Sequence, residues 1–388
     1  MTSPRDLHCP ICGSKSEILL ALHFGKKMEL PTHPKIAYCP NDNFAFLTDA
    51  RQEAYDAYYK TVINDYRHRE TAPTADSPLA LQVSALLEVM PLYFAKSRRV
   101  LDYGCGGADL IMSLAQRFPA SQFVGYDPSA SVESAAALVN SAGLANVGIT
   151  GQASEVAADK FDFIIASHVF EHFIDLDEIK FLANLLAEDG ALYAEVPDAA
   201  RYDAFPRRAY LGYFDRIHVN HFSPQSLARA VAQYGLGQAG SLQYDFPYPD
   251  GGKYPALGMF FKKSAACEDV SSPDLRASFD HYFRDESANA REMADQMNAF
   301  GGILVWGGGD NFYRSMSNGG PLSFANNIIL LDRRPQEIEI GSRCFTSLSP
   351  DEGLRKFSFP VAVTVSEAGN AIAAQIKQMD PGRKIFLL

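Results

Sequence analysis

The chain reads as an α/β protein. It is built on a doubly wound, mostly parallel sheet, with a small cysteine-containing module before it and a second α/β unit after it. Three observations predict this. From residue 98 onward, short apolar strand-like runs alternate with segments of helix length. Two of those runs end in glycine-rich turns, VLDYGCGGADL at 100–110 and VWGGGDN at 305–311. At 388 residues the chain is too long for one ordinary core, so two or three units are expected.

The elements follow in order. Residues 1–48 are rich in turn formers, lack helical periodicity and read as a cysteine-rich, zinc-ribbon-like module. Residues 53–66 and 79–95 read as helices, separated by the polar break TAPTADSP. RRVLDYG, SQFVGYD, NVGIT, FDFIIASH and ALYAEVP then read as strands. Between them lie helices at 108–118, 129–143 and 176–190, the last closing on Gly190. An aromatic and histidine-rich insertion occupies 198–223, followed by the helix PQSLARAVAQYG and strands ending in ALGMFFKK. A linker at 264–273 and a long helix at 274–299 precede the second alternation of strands and helices, which closes with KIFLL. The expected division is therefore 1–48, 49–265 and 266–388.

Bulk properties narrow the function. A net charge of -11 argues against a general nucleic-acid binder, which carries a basic face. No apolar run reaches ~18 residues, so no membrane-spanning helix is expected. MTSPRDLHCPIC lacks the basic start and apolar core of a secretory signal. Three of the six cysteines cluster near the N-terminus and three are scattered, a usage that suits a reducing, cytoplasmic compartment better than a disulfide framework.

The first glycine loop carries the most specific signal. A glycine turn between a buried strand and a helix lets backbone N–H groups approach a ligand. A dinucleotide loop wants G-x-G-x-x-G, but counting from Gly104 and Gly106 the third position is Asp109. A pyrophosphate would also find Asp102 an unfavourable neighbour. S-adenosylmethionine (SAM) carries an ammonium and a sulfonium instead, so the charge of the loop favours SAM. Asp127, at the end of the next strand, sits where a carboxylate accepts ribose hydroxyls.

These segments resemble the class I SAM-dependent methyltransferases. VLDYGCGGADL is similar to their first motif and FVGYDPSA to their ribose-binding strand end. FDFIIASHVFEHF and LLAEDGALYAEVP are similar to their later motifs. The resemblance implies that Gly104 and Gly106 line the cofactor and that Asp127 holds its ribose. It places Gln152 and Ala153 beside adenine, and Ser167 and His168 beneath the methionine portion.

CPIC places Cys9 and Cys12 within reach of one cation, and Cys39 follows 27 residues after Cys12. A zinc ribbon wants a fourth cysteine at position 42, where this chain has Asp42. Zinc accepts a carboxylate, and His8, His23 and His33 are further candidates. The other reading is a knuckle that holds no metal and packs as a small hydrophobic unit.

YFDRIHVNHFS at 213–223 concentrates titratable groups near the carboxyl edge of the expected sheet. Histidine titrates near neutral pH, and on a helix or turn His218 and His221 could both face one cleft. A packed core histidine is the other reading. With this segment the whole plan resembles the sugar C-methyltransferase family, which joins a zinc module, a SAM domain and a C-terminal Rossmann-like domain. FDRIHVNHFS is similar to that family's FDTIYHEHLS. The resemblance places His221 on the histidine base and implies His218 or Asn220 as the enolate partner. It also implies a nucleotide-linked keto-deoxysugar as acceptor. The family's tyrosine and glutamate are replaced here by His218 and Asn220, which keeps O- or N-methylation of a sugar or other small metabolite open. A SAM-binding scaffold without turnover is the non-enzymatic reading.

In the C-terminal unit, Gly307, Gly308 and Gly309 are consecutive and do not fit the dinucleotide pattern, although Asp332 is placed like a ribose ligand. A nucleotide-sugar anchor, implied by the family, or a structural lid is expected there. Arg333, Arg334 and Arg343 are candidate phosphate contacts or plain surface charges.

Overall fold

A computed structural model describes residues 7–61, 77–89, 98–247, 252–263, 266, 269–317, 319–365 and 368–388. The helical readings over 62–66 and 90–95, most of the polar break at 71–78, part of the 264–273 linker and Cys267 lie outside the described residues.

Three antiparallel strands open the fold, β1 (Glu17–Ala21), β2 (Lys35–Cys39) and β3 (Phe44–Leu47). Helices α1 (Gln52–Thr61) and α2 (Pro78–Val89) lead into the alternating region. That region runs β4 (Arg99–Tyr103), α3 (Asp109–Arg117), β5 (Gln122–Tyr126), α4 (Ser131–Ser141), β6 (Val147–Thr150), α5 (Ala153–Ala157), β7 (Phe161–Ser167), α6 (Glu178–Leu185) and β8 (Leu186–Pro197). After the insertion come β9 (Asn220–His221), α7 (Pro224–Ala232), β10 (Gly237–Pro247) and β11 (Lys253–Lys262). Ser223 caps α7 with a reciprocal Ser223–Ser226 box, and Pro224 sits at its first turn.

The central sheet has the order β10-β11-β8-β7-β4-β5-β6. Its five strands from β4 to β8 are parallel, whereas β10 and β11 add antiparallel at one edge. Burial on both faces explains why the inner strands β4 and β7 and the second half of β8 read as mostly hydrophobic runs. The sheet is the α/β doubly wound arrangement expected, made mixed by its antiparallel edge. One expected element is shorter. The helix drawn to Gly190 ends at Leu185, because Leu186 is buried and pairs with Phe161 at the start of a long β8.

The insertion departs further from expectation. Its β9 pairs antiparallel with β3, Ala45 opposite His221 and Phe46 opposite Asn220. The first sheet therefore takes its fourth strand from residues far along the chain.

The C-terminal unit consists of α8 (Leu275–Asn298), β12 (Ile303–Trp306), α9 (Asp310–Met316), β13 (Ile328–Leu331), β14 (Glu337–Ile340), β15 (Arg343–Thr346), α10 (Pro350–Lys356), β16 (Val361–Val363), α11 (Gly369–Met379) and β17 (Ile385–Leu387). Its parallel sheet has the order β13-β12-β16-β17, and β14 and β15 form a separate hairpin. Asp274 caps α8, close to the start expected from sequence. Among the described residues no helix is long and apolar enough to cross a membrane.

Candidate active site

The glycine loop leaves β4 at its carboxyl end, between β5 and β7. Gly104 has φ +81° and Gly106 φ +48°, values that favour residues without a Cβ. A Cβ at Gly104 would lie 2.5 Å from Val169 Cγ2, so the loop packs directly on the turn after β7. Around Gly106 a Cβ would meet open space. Asp127 anchors the loop, accepting the Gly106 amide at 2.8 Å with one oxygen and the Ser129 amide at 2.8 Å with the other.

Asp102 is 3% exposed and has no hydrogen-bond partner among the described residues. Burial, with the Asp127 charge added, raises its pKa to about 7. A buried, unpaired carboxylate below an open glycine turn fits a cation, and SAM's ammonium is one. Gln152 and Ala153 sit exposed at the start of α5, just past β6.

Ser167 and His168 lie at the end of β7, where two buried glutamates converge. Ser167 Oγ donates to Glu195 at 2.9 Å. His168 Nδ1 lies 3.1 Å from Glu171, and its Nε2 lies 3.3 Å from Glu195. Desolvation alone would lower the His168 pKa, but the hydrogen bonds to both glutamates outweigh it and raise it to about 10. The same pairings outweigh desolvation at Glu171 and Glu195 and hold both below the usual carboxylate range. Tyr193 and Tyr244 also donate to Glu195, at 2.5 and 2.7 Å. The result is a charged floor in which Glu195 is held by several donors, while Glu171 Oε2 is buried without a hydrogen-bond partner among the described residues.

Sequence reasoning missed Glu171, His172 and Glu195. The signal for the first two lay inside the quoted segment, in the Glu171-His172 pair three residues after His168. His172 Nδ1 lies 2.9 Å from the Ile217 carbonyl and 3.1 Å from Tyr59 Oη. Its ring is 5.0 Å from that of His218. Glu171, His172 and His218 each bring one ligand-type atom to within 4.8 Å of the others. His218 Nδ1 lies 3.8 Å from Asp215, whose other oxygen accepts the amides of Ile217 and His218 at 2.8 Å.

The structure corrects the expected pairing of His218 with His221. Only Asn220 and His221 pair with β3, whereas His218 precedes that strand on a turn whose amides Asp215 accepts, so the two rings do not share a helix face. His221 is 0% exposed, with Phe214 and Phe279 rings at 4.7 and 6.2 Å and Tyr202 Oη 3.4 Å from Nδ1. Burial, helped by His218, pushes its pKa down to about 3. Asn220 is not free to serve an acceptor either. Its amide donates to the Phe170 and Phe173 carbonyls at 2.7 and 2.8 Å, clamping the turn that carries Glu171 and His172.

The N-terminal cysteines do converge. Cys9, Cys12, Cys39 and Asp42 bring their ligand atoms within 4.8 Å of one another. Cys9 Sγ lies 3.1 Å from Asp42, Cys12 Sγ 3.6 Å from Cys39 Sγ, and Cys39 Sγ 3.6 Å from Asp42. A tetrahedral zinc site with ~2.3 Å metal–sulfur bonds places sulfurs about 3.8 Å apart, so the set fits. His23 and His33 instead pack against each other, ring centroids 4.3 Å apart. His8 pairs with Lys15 in an isolated bridge.

The C-terminal loop repeats the first in miniature. Asp332 accepts the Gly308 amide at 3.1 Å and the Arg334 amide at 3.0 Å, as Asp127 does for Gly106 and Ser129. The space differs. A Cβ at Gly308 would meet Ile338 at 2.7 Å and Gln336 at 2.9 Å, so the chain itself fills the cradle. Arg333 reaches Gln375, and Arg343 lies over the Phe345 ring.

Residues 75–237 match the family model described as a methyltransferase domain. No curated protein matches the chain. Solved structures with a similar fold include a SAM-dependent methyltransferase from Aquifex aeolicus, 18% identical, covering 48% of this chain and 93% of its own, with a TM-score of 0.37. A SAM-dependent methyltransferase from Methanosarcina mazei is 16% identical over 46% of this chain and 98% of its own, TM-score 0.37. Coclaurine N-methyltransferase bound to N-methylheliamine and SAH is 14% identical over 50% of this chain and 74% of its own, TM-score 0.36.

Proposed function

We propose that this SAM-dependent methyltransferase acts on a nucleotide-linked keto-deoxysugar, methylating the carbon beside the carbonyl. The observation that carries the reading is the Glu171, His172 and His218 cluster, held beside the cofactor loop by Val169 and by the Asn220 clamp. When bound, SAM supplies an electrophilic methyl group on a sulfonium. Asp102 meets its ammonium, Gly104 and Gly106 line it, and Asp127 accepts from the ribose. Gln152 and Ala153 flank the adenine, while Ser167 and His168 lie below the methionine portion.

Carbon methylation requires loss of an acidic proton and stabilisation of the enolate oxygen. The imidazoles of His172 and His218 and the Glu171 carboxylate are the groups beside the cofactor loop that bear on both tasks. Positioning of carbon, methyl and sulfur in line supplies the remaining acceleration. His221 and Asn220 support the site as core and clamp.

The seclusion of His221 favours a second reading, O- or N-methylation of a sugar or small metabolite, with His218 deprotonating a hydroxyl. Incubation of the enzyme, S-adenosylhomocysteine and a panel of 4-ketosugar nucleotides in deuterated water separates the two. Deuterium entering the carbon beside the carbonyl supports carbon methylation. A methylated product with no exchange at carbon overturns it.

The 1–48 module holds a structural zinc ion through Cys9, Cys12, Cys39 and Asp42 in this reading. The 266–388 unit is a lid or sugar-nucleotide anchor and does not hold a dinucleotide, since Gln336 and Ile338 occupy its glycine cradle. A cytoplasmic setting suits three unpaired thiols at one site.

A further inference from the structure

We propose that Glu171, His172 and His218 form a binding site for a divalent first-row metal ion beside the methyl donor, distinct from the N-terminal cysteine cluster. Two imidazoles and one carboxylate within 4.8 Å of one another are a borderline ligand set, suited to manganese, iron, cobalt or zinc, and they leave coordination positions open.

Three details point to a ligand. Glu171 is 1% exposed, and its Oε2 is buried without a hydrogen-bond partner among the described residues, while Oε1 is taken by His168. A buried lone carboxylate oxygen costs stability unless something completes it. His218 Nδ1 is likewise buried and without a hydrogen-bond partner, with Asp215 beyond hydrogen-bond reach at 3.8 Å. His172 is oriented as metal-bound histidines are. A carbonyl only accepts, so the Ile217 contact at 2.9 Å fixes the proton on Nδ1 and leaves the Nε2 lone pair for a cation. His168 Nδ1, 3.1 Å from Glu171 Oε1, braces the carboxylate from the far side.

The site itself is independent of the acceptor. Its role in deprotonation rests on the ketosugar reading given above. An open position would hold the acceptor's carbonyl oxygen, and a second would hold hydroxide. Hydroxide takes the proton from the neighbouring carbon, leaving water on the metal and the electron pair in the enolate, which then attacks the methyl group as the methyl–sulfur bond breaks and its electron pair leaves with S-adenosylhomocysteine.

Titration of the full-length protein with Mn²⁺, with S-adenosylhomocysteine bound and read by electron paramagnetic resonance, tests binding. Thiolate sites disfavour Mn²⁺, so the cysteine cluster does not compete. One equivalent is expected to bind, with affinity lowered at least tenfold in Glu171→Gln and in His218→Ala, both still binding S-adenosylhomocysteine. Bound Mn²⁺ should broaden the ¹³C-methyl signal of labelled SAM. No uptake at millimolar Mn²⁺ and Co²⁺, or uptake unchanged by both substitutions, overturns the site. A bound metal with no carbon exchange in deuterated water keeps the site and overturns the ketosugar reading alone.

Discussion

Asp127 accepts the backbone amide of Gly106 at 2.8 Å, joining the end of β5 to the cofactor loop. The same carboxylate is the proposed ribose ligand, so one side chain both shapes the loop and reads the cofactor. Asp127→Ala removes the acceptor and leaves the Gly106 and Ser129 amides without it. A loss of about 1–3 kcal/mol, about fivefold to 150-fold in the Kd for S-adenosylhomocysteine, is expected by calorimetry. Unchanged affinity would remove Asp127 from the ribose site.

Asp102 predicts a pH dependence. Its folded pKa, near 7, lies above the unfolded value, so its contribution to stability is full in acid and lost as pH rises through about 7. A cationic ligand pairs with the charged form and reverses that cost. Cofactor affinity is therefore expected to rise between pH 6 and 8, with proton release on binding. Asp102→Asn should bind more weakly and show a flat profile. A variant that keeps the wild-type slope would place the titration elsewhere.

His221 predicts the opposite sign. Its folded pKa, near 3, lies below the unfolded value, so the stability conferred by the neutral ring is lost as pH falls from about 6.5 toward 3. His221→Leu should change stability by no more than about 1 kcal/mol at pH 7, because Nε2 has no partner to lose among the described residues and Nδ1 has only the long 3.4 Å contact with Tyr202 Oη. At pH 5 the variant should outlast the wild type in urea. Its methyl transfer should survive within tenfold, whereas His218→Ala should lose a hundredfold or more.

His168 stands between Glu171 and Glu195, so removing it leaves two buried carboxylates without their cation. His168→Ala is expected to cost about 3–5 kcal/mol, read as a fall in Tm. Adding Glu195→Gln should recover part of that loss. Strict additivity in the double-mutant cycle would show that the pair does not interact.

The two N-terminal turns, Cys9-Pro-Ile-Cys12 and Cys39-Pro-Asn-Asp42, differ in ligand type only at their fourth position. Asp42→Cys should raise zinc affinity at least tenfold in competition with a chromophoric chelator, and Cys12→Ser should abolish stoichiometric zinc in the purified protein. Equal metal content in all three proteins would exclude this cluster as the site.

The sequence by itself determined what is local. Strand–turn–helix order, the glycine turn and the carboxylates at 102 and 127 are set within a few residues of chain, where period and turn chemistry act directly. The cysteine spacing likewise brought Cys9 and Cys12 together without help. Only the tertiary structure decided what depends on pairing between distant segments. That β9 joins β3 turned a histidine pair read as sharing one cleft into one buried ring and one at the site, because His221 lies in the strand and His218 on the turn before it. The same pairing sets Asn220 under the turn after β7 and brings His218 to Glu171 and His172, 47 and 46 residues away in the sequence. Whether a glycine loop is open or filled was also beyond a motif. Gly106 and Gly308 are held by the same carboxylate hydrogen bond, and only the packing of Gln336 and Ile338 closes one of them.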